Sequence, residues 1–475
     1  MHPVAVTPRP TEGFRTVLDD DQVTALDNTL ARLRDAVGPH RLWQVNSTAR
    51  GGGVAEMLST LLPYALGAGI DLGWLVVEGD EAFFDVTKRL HNRLHDDEGD
   101  GCPLGPAERA TYERTLAAEA ETLLEQVAPG DVVILHDPQT AGLAPVLAQR
   151  GARVVWRSHI GVDTPGDLAR GAWDFLRDDV LAAQALVFTR PSYVWEGLPP
   201  DRVQIAAPVI DVLSPKNQPL QPEARDAILH ASGLIVDPRH PRSLAAFMDD
   251  GSRELVTRPV ELVEDMQIPP DARLIAQVSR WDRLKDPVGL VTAFADHGPP
   301  DDDVHLVVAG PSLEGVTDDP ESVEVFEDVV ATWRELPAAA RERSHLVCVP
   351  MVDLAENAAI VNALQRRADV VVQKSLAEGF GLTVTEAMWK QRAVVASRVG
   401  GVQDQITHGE DGLLVDDPED LAAFGQAFRD ILADPDRARA LGTAAHQRVC
   451  DNYLPLHYFA AEAAVVARTR AGQTT

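Results

Sequence analysis

Short apolar, β-branched runs recur along the chain at about the spacing of strand–helix units. A first series comprises Leu42–Val45, Trp74–Val77, Val132–Leu135, Arg153–Trp156 and Ala185–Phe188. A second comprises Leu274–Val278, His305–Ala309, Leu346–Val349, Val370–Val372, Ala393–Ser397 and Leu413–Val415. Segments rich in Ala, Leu, Glu and Arg lie between them, such as Arg109–Val127 and Leu421–Ala433, and read as helices. Strands alternating with helices predict parallel sheets covered on both faces, so the fold class is α/β. Two series predict two doubly wound, Rossmann-like domains.

The expected boundaries are an N-terminal domain over residues 1–213, a connecting segment over 214–265 and a C-terminal domain over 266–451. The connecting segment is rich in Pro, Asp and Arg and shows no convincing strand, though 223–231 reads as a helix. The Ala-rich stretch at the end, within 452–475, reads as a helix that closes the second domain or packs back on the first. In open parallel sheets ligands sit beyond the carboxyl ends of the strands, near the switch point. Two such domains face to face predict a site in an interdomain cleft.

Composition narrows the class. A length of 475 residues suits two or three domains, and 45% hydrophobic residues suffice for packed cores. A net charge of −30 argues against nucleic acid and anionic membrane surfaces as partners. No apolar run approaches a membrane span, and the start of the chain lacks a secretory pattern. Cys102, Cys348 and Cys450 are scattered, which suits a reducing cytoplasm rather than a disulfide framework. The partners expected are small molecules; a homodimer stays open.

The chemistry gathers where strands end. After Val372 comes QKSLAEGFGLTVTEAMWK, with the turn Gly379-Phe380-Gly381 between Glu378 and Glu386 and a helix expected after Gly381. Strand, glycine turn and helix start make an anion site, because the first helical N–H groups lack internal acceptors and the dipole is positive there. Carboxylates beside it suit a ligand with both phosphate and hydroxyl groups, as in a nucleotide sugar. The bland reading of Glu386 is a solvated helix residue, and a glycosidase carboxylate pair is the other alternative.

Arg280 and Lys285 follow the Leu274–Val278 strand, in SRWDRLKDP. A guanidinium fork and a compact ammonium suit a diphosphate leaving group, against the alternative of surface cations paired with Asp282 and Asp286.

In the first series, Gly51-Gly52-Gly53 precedes a helical stretch but does not fit the dinucleotide fingerprint. His136, Asp137, Gln139, Arg157 and His159 cluster at adjacent strand ends. Metal binding by His136, Asp137 and His159 lacks a supporting short motif. Asp301-Asp302-Asp303 contains an Asp-x-Asp string but reads as a solvated loop, so no metal and no resident cofactor are expected. For a nucleotide base, the loop around Met351 and the helix near Asn362 are candidates.

These residues resemble a known family. SRWDRLKDP followed by EGFGLTVTE, a glutamate, seven residues and a second glutamate, is similar to the retaining GT-B glycosyltransferases. With VNSTARGGGVAEML, FFDVTKRLHNRLH, HDPQT, RSHIG and APVIDVLSPKN, the chain resembles the trehalose glycosyltransferring synthases. The matching segments run from about Trp43 to Gly412 and leave out the first forty residues and Pro219–Pro259. The resemblance implies a GT-B fold and a hexosyltransferase that joins a nucleotide diphosphate-glucose, as co-substrate, to free glucose. It implies that Arg280 and Lys285 hold the donor diphosphate. Glu378 and the backbone of Phe380, Gly381 and Leu382 hold the donor sugar, and Glu386 holds the ribose hydroxyls. His159 faces the donor hexose near its reacting end, and Gly52, Gly53, Asp137 and Gln139 line the acceptor side. Retention without an enzyme nucleophile or a metal is expected, with cleft closure excluding water.

Two departures bear on the acceptor. GVDTP follows RSHI where an acidic residue is expected directly after the isoleucine, and HDPQT ends in Thr140 where proline is usual. A retaining trehalose phosphorylase, a GT-B transferase with another acceptor and a non-catalytic sugar-nucleotide sensor are the alternatives.

Overall fold

The computed structural model describes residues 1–49, 52–237, 245–249, 251–313 and 320–471. Gly51 and the last four residues of the expected C-terminal helix lie outside the described residues. The chain forms two compact units, Met1–Asp211 with Tyr453–Thr475 and Val212–Asn452.

The first unit is built on strands β1 (His2–Val4), β2 (Leu42–Asn46), β3 (Leu72–Val76), β4 (Val132–His136), β5 (Arg153–Ser158), β6 (Ala185–Phe188) and β7 (Val203–Ile205). They form one seven-stranded sheet in the order β1-β3-β2-β4-β5-β6-β7. All neighbours are parallel except β1, which pairs antiparallel with β3. Every residue of β2, β4, β5 and β6 is buried, as strands covered by helices on both faces must be. Trp156 packs on Trp195, which stacks on Trp173, at the centre of this core. The C-terminal helix Pro455–Ala471 lies on the same unit. Gln204 donates to its Ala461 carbonyl at 2.8 Å, and Arg470 reaches the Asp35 carbonyl at 2.9 Å.

The second unit contains β8 (Ala245–Asp249), β9 (Ser252–Val256), β10 (Glu261–Val263), β11 (Arg273–Val278), β12 (Val304–Pro311), β13 (Ser344–Val349), β14 (Val370–Gln373), β15 (Ala393–Ser397) and β16 (Leu413–Val415). Its seven-stranded sheet has the order β10-β13-β12-β11-β14-β15-β16, and β8 and β9 form a separate antiparallel pair. The stretch 214–265 is therefore not without strands. It carries β8, β9, the helix Pro222–Ala231, and β10, which caps the edge of the main sheet by pairing antiparallel with β13. β10 is exposed or half-exposed along its length and β9 exposes four of its five residues, so neither reads as an apolar run.

The two sheets share one winding. The chain moves outward from β2 to β3 and then crosses back to β4, so the switch point of the first sheet lies between β2 and β4. In the second it lies between β11 and β14. Loops that leave adjacent parallel strands in opposite directions open a crevice at those carboxyl ends.

Candidate active site

The second unit brings three predicted elements to its switch point. Beyond β11, Trp281 is buried under Gly310 and donates its indole N–H to the Pro311 carbonyl at 2.9 Å. The following turn ends at Asp286, whose φ of 42° is left-handed and whose carboxylate accepts the Gly289 N–H at 2.9 Å to cap helix Pro287–His297. Asp286 also binds the ammonium of Lys374, a fully buried residue just past β14. Buried Gln277 ties the same loop twice, donating to the Lys285 carbonyl and accepting from the Lys374 N–H, both at 2.9 Å.

The backbone at Lys285 is thus fixed, and its ammonium meets Glu378 Oε2 at 2.5 Å. Lys285 and Glu378, predicted separately, form one largely buried ion pair. Arg280 is different: its side chain is 63% exposed and rests on Asp282 at 2.9 Å. The alternative pairing read from the sequence is realised for Arg280 and not for Lys285.

The glycine turn is held from behind. Gly381 has a φ of 83°, and a Cβ there would sit 2.9 Å from Val402 Cγ2. The Gln405 amide donates to the Phe380 carbonyl at 2.5 Å, and its oxygen accepts from the Thr385 hydroxyl at 2.6 Å. The Gly401 N–H donates to the Gly379 carbonyl at 3.0 Å. With the turn carbonyls engaged, helix Leu382–Trp389 starts beside Glu378 and directs its positive end there.

Glu386 is on that helix but is buried, not solvated, and Lys216 Nζ lies 3.1 Å from its Oε1. The neighbouring Asn217 carbonyl accepts from Trp389 Nε1 at 3.0 Å, and Asn217 Oδ1 accepts from Lys390 at 3.0 Å. In the helix that is a candidate for base contact, Asn362 itself is spent inside the fold: it is buried and donates to the Pro215 and Gln218 carbonyls at 3.0 Å. Met351 is exposed. Asp303 binds Arg273 at the amino end of β11, away from the switch-point loops.

The first unit supplies a second set. Gly52, with φ of 85°, precedes helix Gly53–Gly67 beyond β2. Asp137, just past β4, has a left-handed φ of 62° and accepts the His159 N–H at 2.7 Å. Burial pushes its carboxyl up to about 7. Gln139 is half-buried on the same short turn. Thr140 donates its hydroxyl to the His136 carbonyl at 2.7 Å, a bond that proline lacks the group to make.

His159 meets His136 edge to edge, the rings nearly coplanar, with Nε2 3.0 Å from His136 Nδ1. Burial pushes the His136 imidazole down to about 3 and His159 well below its ordinary range, so both rings are neutral at pH 7. Arg157 pairs beside His136 across β4 and β5, and its guanidinium faces the Tyr458 ring at 5.1 Å, so its charge also disfavours protonation of both rings. At Gly161 a Cβ would sit 2.3 Å from Tyr193 Cγ, so no side chain fits directly after Ile160. The next acidic residue along the chain is Asp163, held by Arg190 and by the Ser192 hydroxyl at 2.9 Å.

Residues 44–195 match the family described as trehalose synthase, N-terminal domain, and residues 261–448 match glycosyl transferases group 1. The chain is 33% identical over 443 residues to a trehalose synthase of Rubrobacter xylanophilus, covering 93% of this chain and 92% of that one. A trehalose phosphorylase of Pleurotus sajor-caju is 27% identical over 85% of this chain, but the match spans 54% of that protein. Among solved structures, an α,α-trehalose-phosphate synthase (UDP-forming) from Burkholderia vietnamiensis aligns with a TM-score of 0.66 at 16% identity, covering 92% of this chain and 98% of that one. The fold is GT-B. Among the described residues, no helix is long and apolar enough to cross a membrane.

Proposed function

The chain belongs to the trehalose synthase family of group 1 glycosyltransferases, and from that premise we propose that it makes trehalose from a nucleotide diphosphate-glucose and free glucose. It is a hexosyltransferase of trehalose metabolism. The finer reading is carried by one observation: the Lys285–Glu378 pair sits at the switch point of the second sheet, beside a helix start. A cation and a carboxylate in contact suit a ligand whose phosphate and sugar are adjacent, since each group then exchanges its partner for one on the ligand.

In this reading Lys285, Arg280 and the first N–H groups of helix Leu382–Trp389 hold the diphosphate and stabilise the charge it gains as it leaves. Glu378 and the Phe380–Leu382 backbone hold the glucose hydroxyls, and Glu386 takes the ribose. Gly52, Gly53, Asp137 and Gln139 receive the acceptor, and His159 offers the hexose a neutral imidazole. The bond from C1 to the diphosphate oxygen breaks as the bond from C1 to the acceptor oxygen forms on the same face. The acceptor proton passes to the departing diphosphate. No enzyme nucleophile and no metal take part.

Product analysis tests the proposal. Incubation with UDP-, ADP- or GDP-glucose and free glucose gives trehalose and the nucleoside diphosphate. A second reading, favoured by the similarity to the phosphorylase, puts inorganic phosphate at Lys285 and Arg280. Release of glucose 1-phosphate from trehalose and phosphate, without nucleotide, overturns the synthase reading.

A further inference from the structure

A line of buried hydrogen bonds links His159 to the C-terminal helix. Glu462, on helix Pro455–Ala471, accepts at Oε1 from the Tyr458 hydroxyl at 2.5 Å and from Gln44 Nε2 at 3.0 Å. Gln44, in the middle of β2, meets His136 Nε2 through its Oε1 at 2.7 Å. His136 Nδ1 then meets His159 Nε2 at 3.0 Å. Gln44, His136 and Glu462 are each no more than 2% exposed, so bulk water cannot exchange for the bonds that join these three.

The direction of the line follows from donor and acceptor chemistry. An oxygen that already takes the Tyr458 hydroxyl proton can offer Gln44 only a lone pair, so the amide nitrogen must face it. The amide oxygen therefore faces His136, and an oxygen needs a proton on His136 Nε2. A neutral His136 then has a bare Nδ1, which needs a proton on His159 Nε2. A neutral His159 is left with a bare Nδ1. Burial holds both rings neutral; it also pushes the Glu462 carboxyl up against the opposing pull of Tyr458, Arg157 and Gln44, and an Oε1 that takes the Tyr458 proton is an acceptor in either protonation state.

We propose that Glu462 is a positioning residue: acting through Gln44 and His136, it fixes His159 in the Nε2–H tautomer, with Nδ1 available to accept from a sugar hydroxyl. The sugar-binding part rests on the reading of His159 given above; the tautomer part does not. A carboxyl on a helix from the far end of the chain thus decides whether His159 offers a lone pair or an N–H. Mispositioned, the ring would present a donor to a hydroxyl that must itself donate.

The test compares Glu462→Leu, which removes the acceptor, with Glu462→Gln, whose amide oxygen replaces Oε1 as acceptor. Gln44→Met breaks the line without touching the helix and serves if Glu462→Leu fails to fold. Two-bond ¹H–¹⁵N correlation of the imidazoles in the ligand-free protein, assigned with His159→Phe and His136→Phe, reads the tautomer directly. The wild type and Glu462→Gln show His159 as Nε2–H, whereas Glu462→Leu and Gln44→Met show a mixture. Turnover falls about tenfold in the latter pair, as loss of one neutral hydrogen bond in the transition state allows, with donor KM changed less than about threefold, and Glu462→Gln restores it. An unchanged His159 tautomer in both Glu462→Leu and Gln44→Met overturns the proposal, as does equal loss of turnover in Glu462→Gln and Glu462→Leu. A protein that makes no trehalose but shows the tautomer change refutes the synthase reading and leaves the relay standing.

Discussion

Lys285→Ala separates what the second unit needs for folding from what the reaction needs. The ammonium lies 2.5 Å from Glu378 Oε2, and the two side chains are 16% and 11% exposed. This pair lies between a surface ion pair, worth under about 1 kcal/mol, and a buried one, whose breakage from one side costs about 3–5 kcal/mol. Removal of the ammonium alone should therefore destabilise the unit by about 1–3 kcal/mol. Glu378→Gln should cost a similar amount. The double variant should cost less than the sum by roughly 1–2 kcal/mol, because the second change removes the charge that the first left exposed to poor solvation. Catalysis should respond more strongly. Loss of one contact to the departing diphosphate lowers turnover by ~10²-fold or more, about 2.7 kcal/mol of barrier. Urea midpoints give the first quantity, and initial rates of nucleoside diphosphate release at saturating substrates give the second. A folded Lys285→Ala protein with turnover within about threefold of wild type would refute the reasoning and leave Lys285 as a structural partner only. A raised donor KM with unchanged turnover would limit Lys285 to ground-state binding.

Acid should destabilise the first unit through His136. Its pKa is pushed to about 3, so between pH 6.5 and 3 the unfolded chain binds a proton that the folded one refuses, and stability is lost as pH falls through that window. At pH 5 the loss is about 2 kcal/mol from this ring. Asp137, raised to about 7, works in the opposite sense, so the measurement is the difference between wild type and His136→Phe in urea at pH 7.5 and 5.0. Equal acid sensitivity of the two proteins would remove His136 as the cause. The transfer activity should survive EDTA, because Asp303 is committed to Arg273 at the amino end of β11; abolition by chelator with rescue by Mg²⁺ would show a metal requirement. Gly381→Ala should cost about 1–2 kcal/mol, from left-handed backbone at φ of 83° and a Cβ 2.9 Å from Val402 Cγ2, and should lower turnover by displacing the turn. A thermal midpoint and rate equal to wild type would show that the turn tolerates a side chain.

The strands that the sequence makes visible are the ones buried on both faces, such as Val132–His136 and Val370–Gln373. Those it hides are short and lie at or near an edge. β1, β7 and β10 each have three residues, none fully buried, so they lack the apolar run on which recognition depends. The β8–β9 stretch does carry a local signal in sequence, the pair Asp250-Gly251, but it stands among Pro, Asp and Arg residues that equally mark a connection. Lys285 and Glu378 are each legible beside a strand end, but their contact is not, because 93 residues separate them. Lys216, Gln405 and Glu462 carry no local signal, since a polar residue in a helix or loop reads as solvated until its buried partner is known. Glu386 shows the same limit: burial and Lys216 distinguish it from a surface glutamate, and neither is a property of its neighbours in sequence.

The hidden residues share a physical role. Each sheet carries a fully buried glutamine on the strand beside its switch point, Gln44 on β2 and Gln277 on β11. A buried amide is costly unless its donor and acceptor are both engaged, and here they are. Gln44 accepts from or donates to nothing on its own strand; it joins His136, at the end of β4, to Glu462. Gln277 joins the loop after β11, at the Lys285 carbonyl, to the Lys374 N–H after β14. In each sheet, then, one amide ties groups from separate parts of the chain: a strand end to the C-terminal helix in the first, two strand-end loops in the second. Leucine at either position would leave those groups without a shared anchor. The glutamines exchange some hydrophobic stabilisation for fixed positions of His136, which bonds His159, and of the Lys285 backbone.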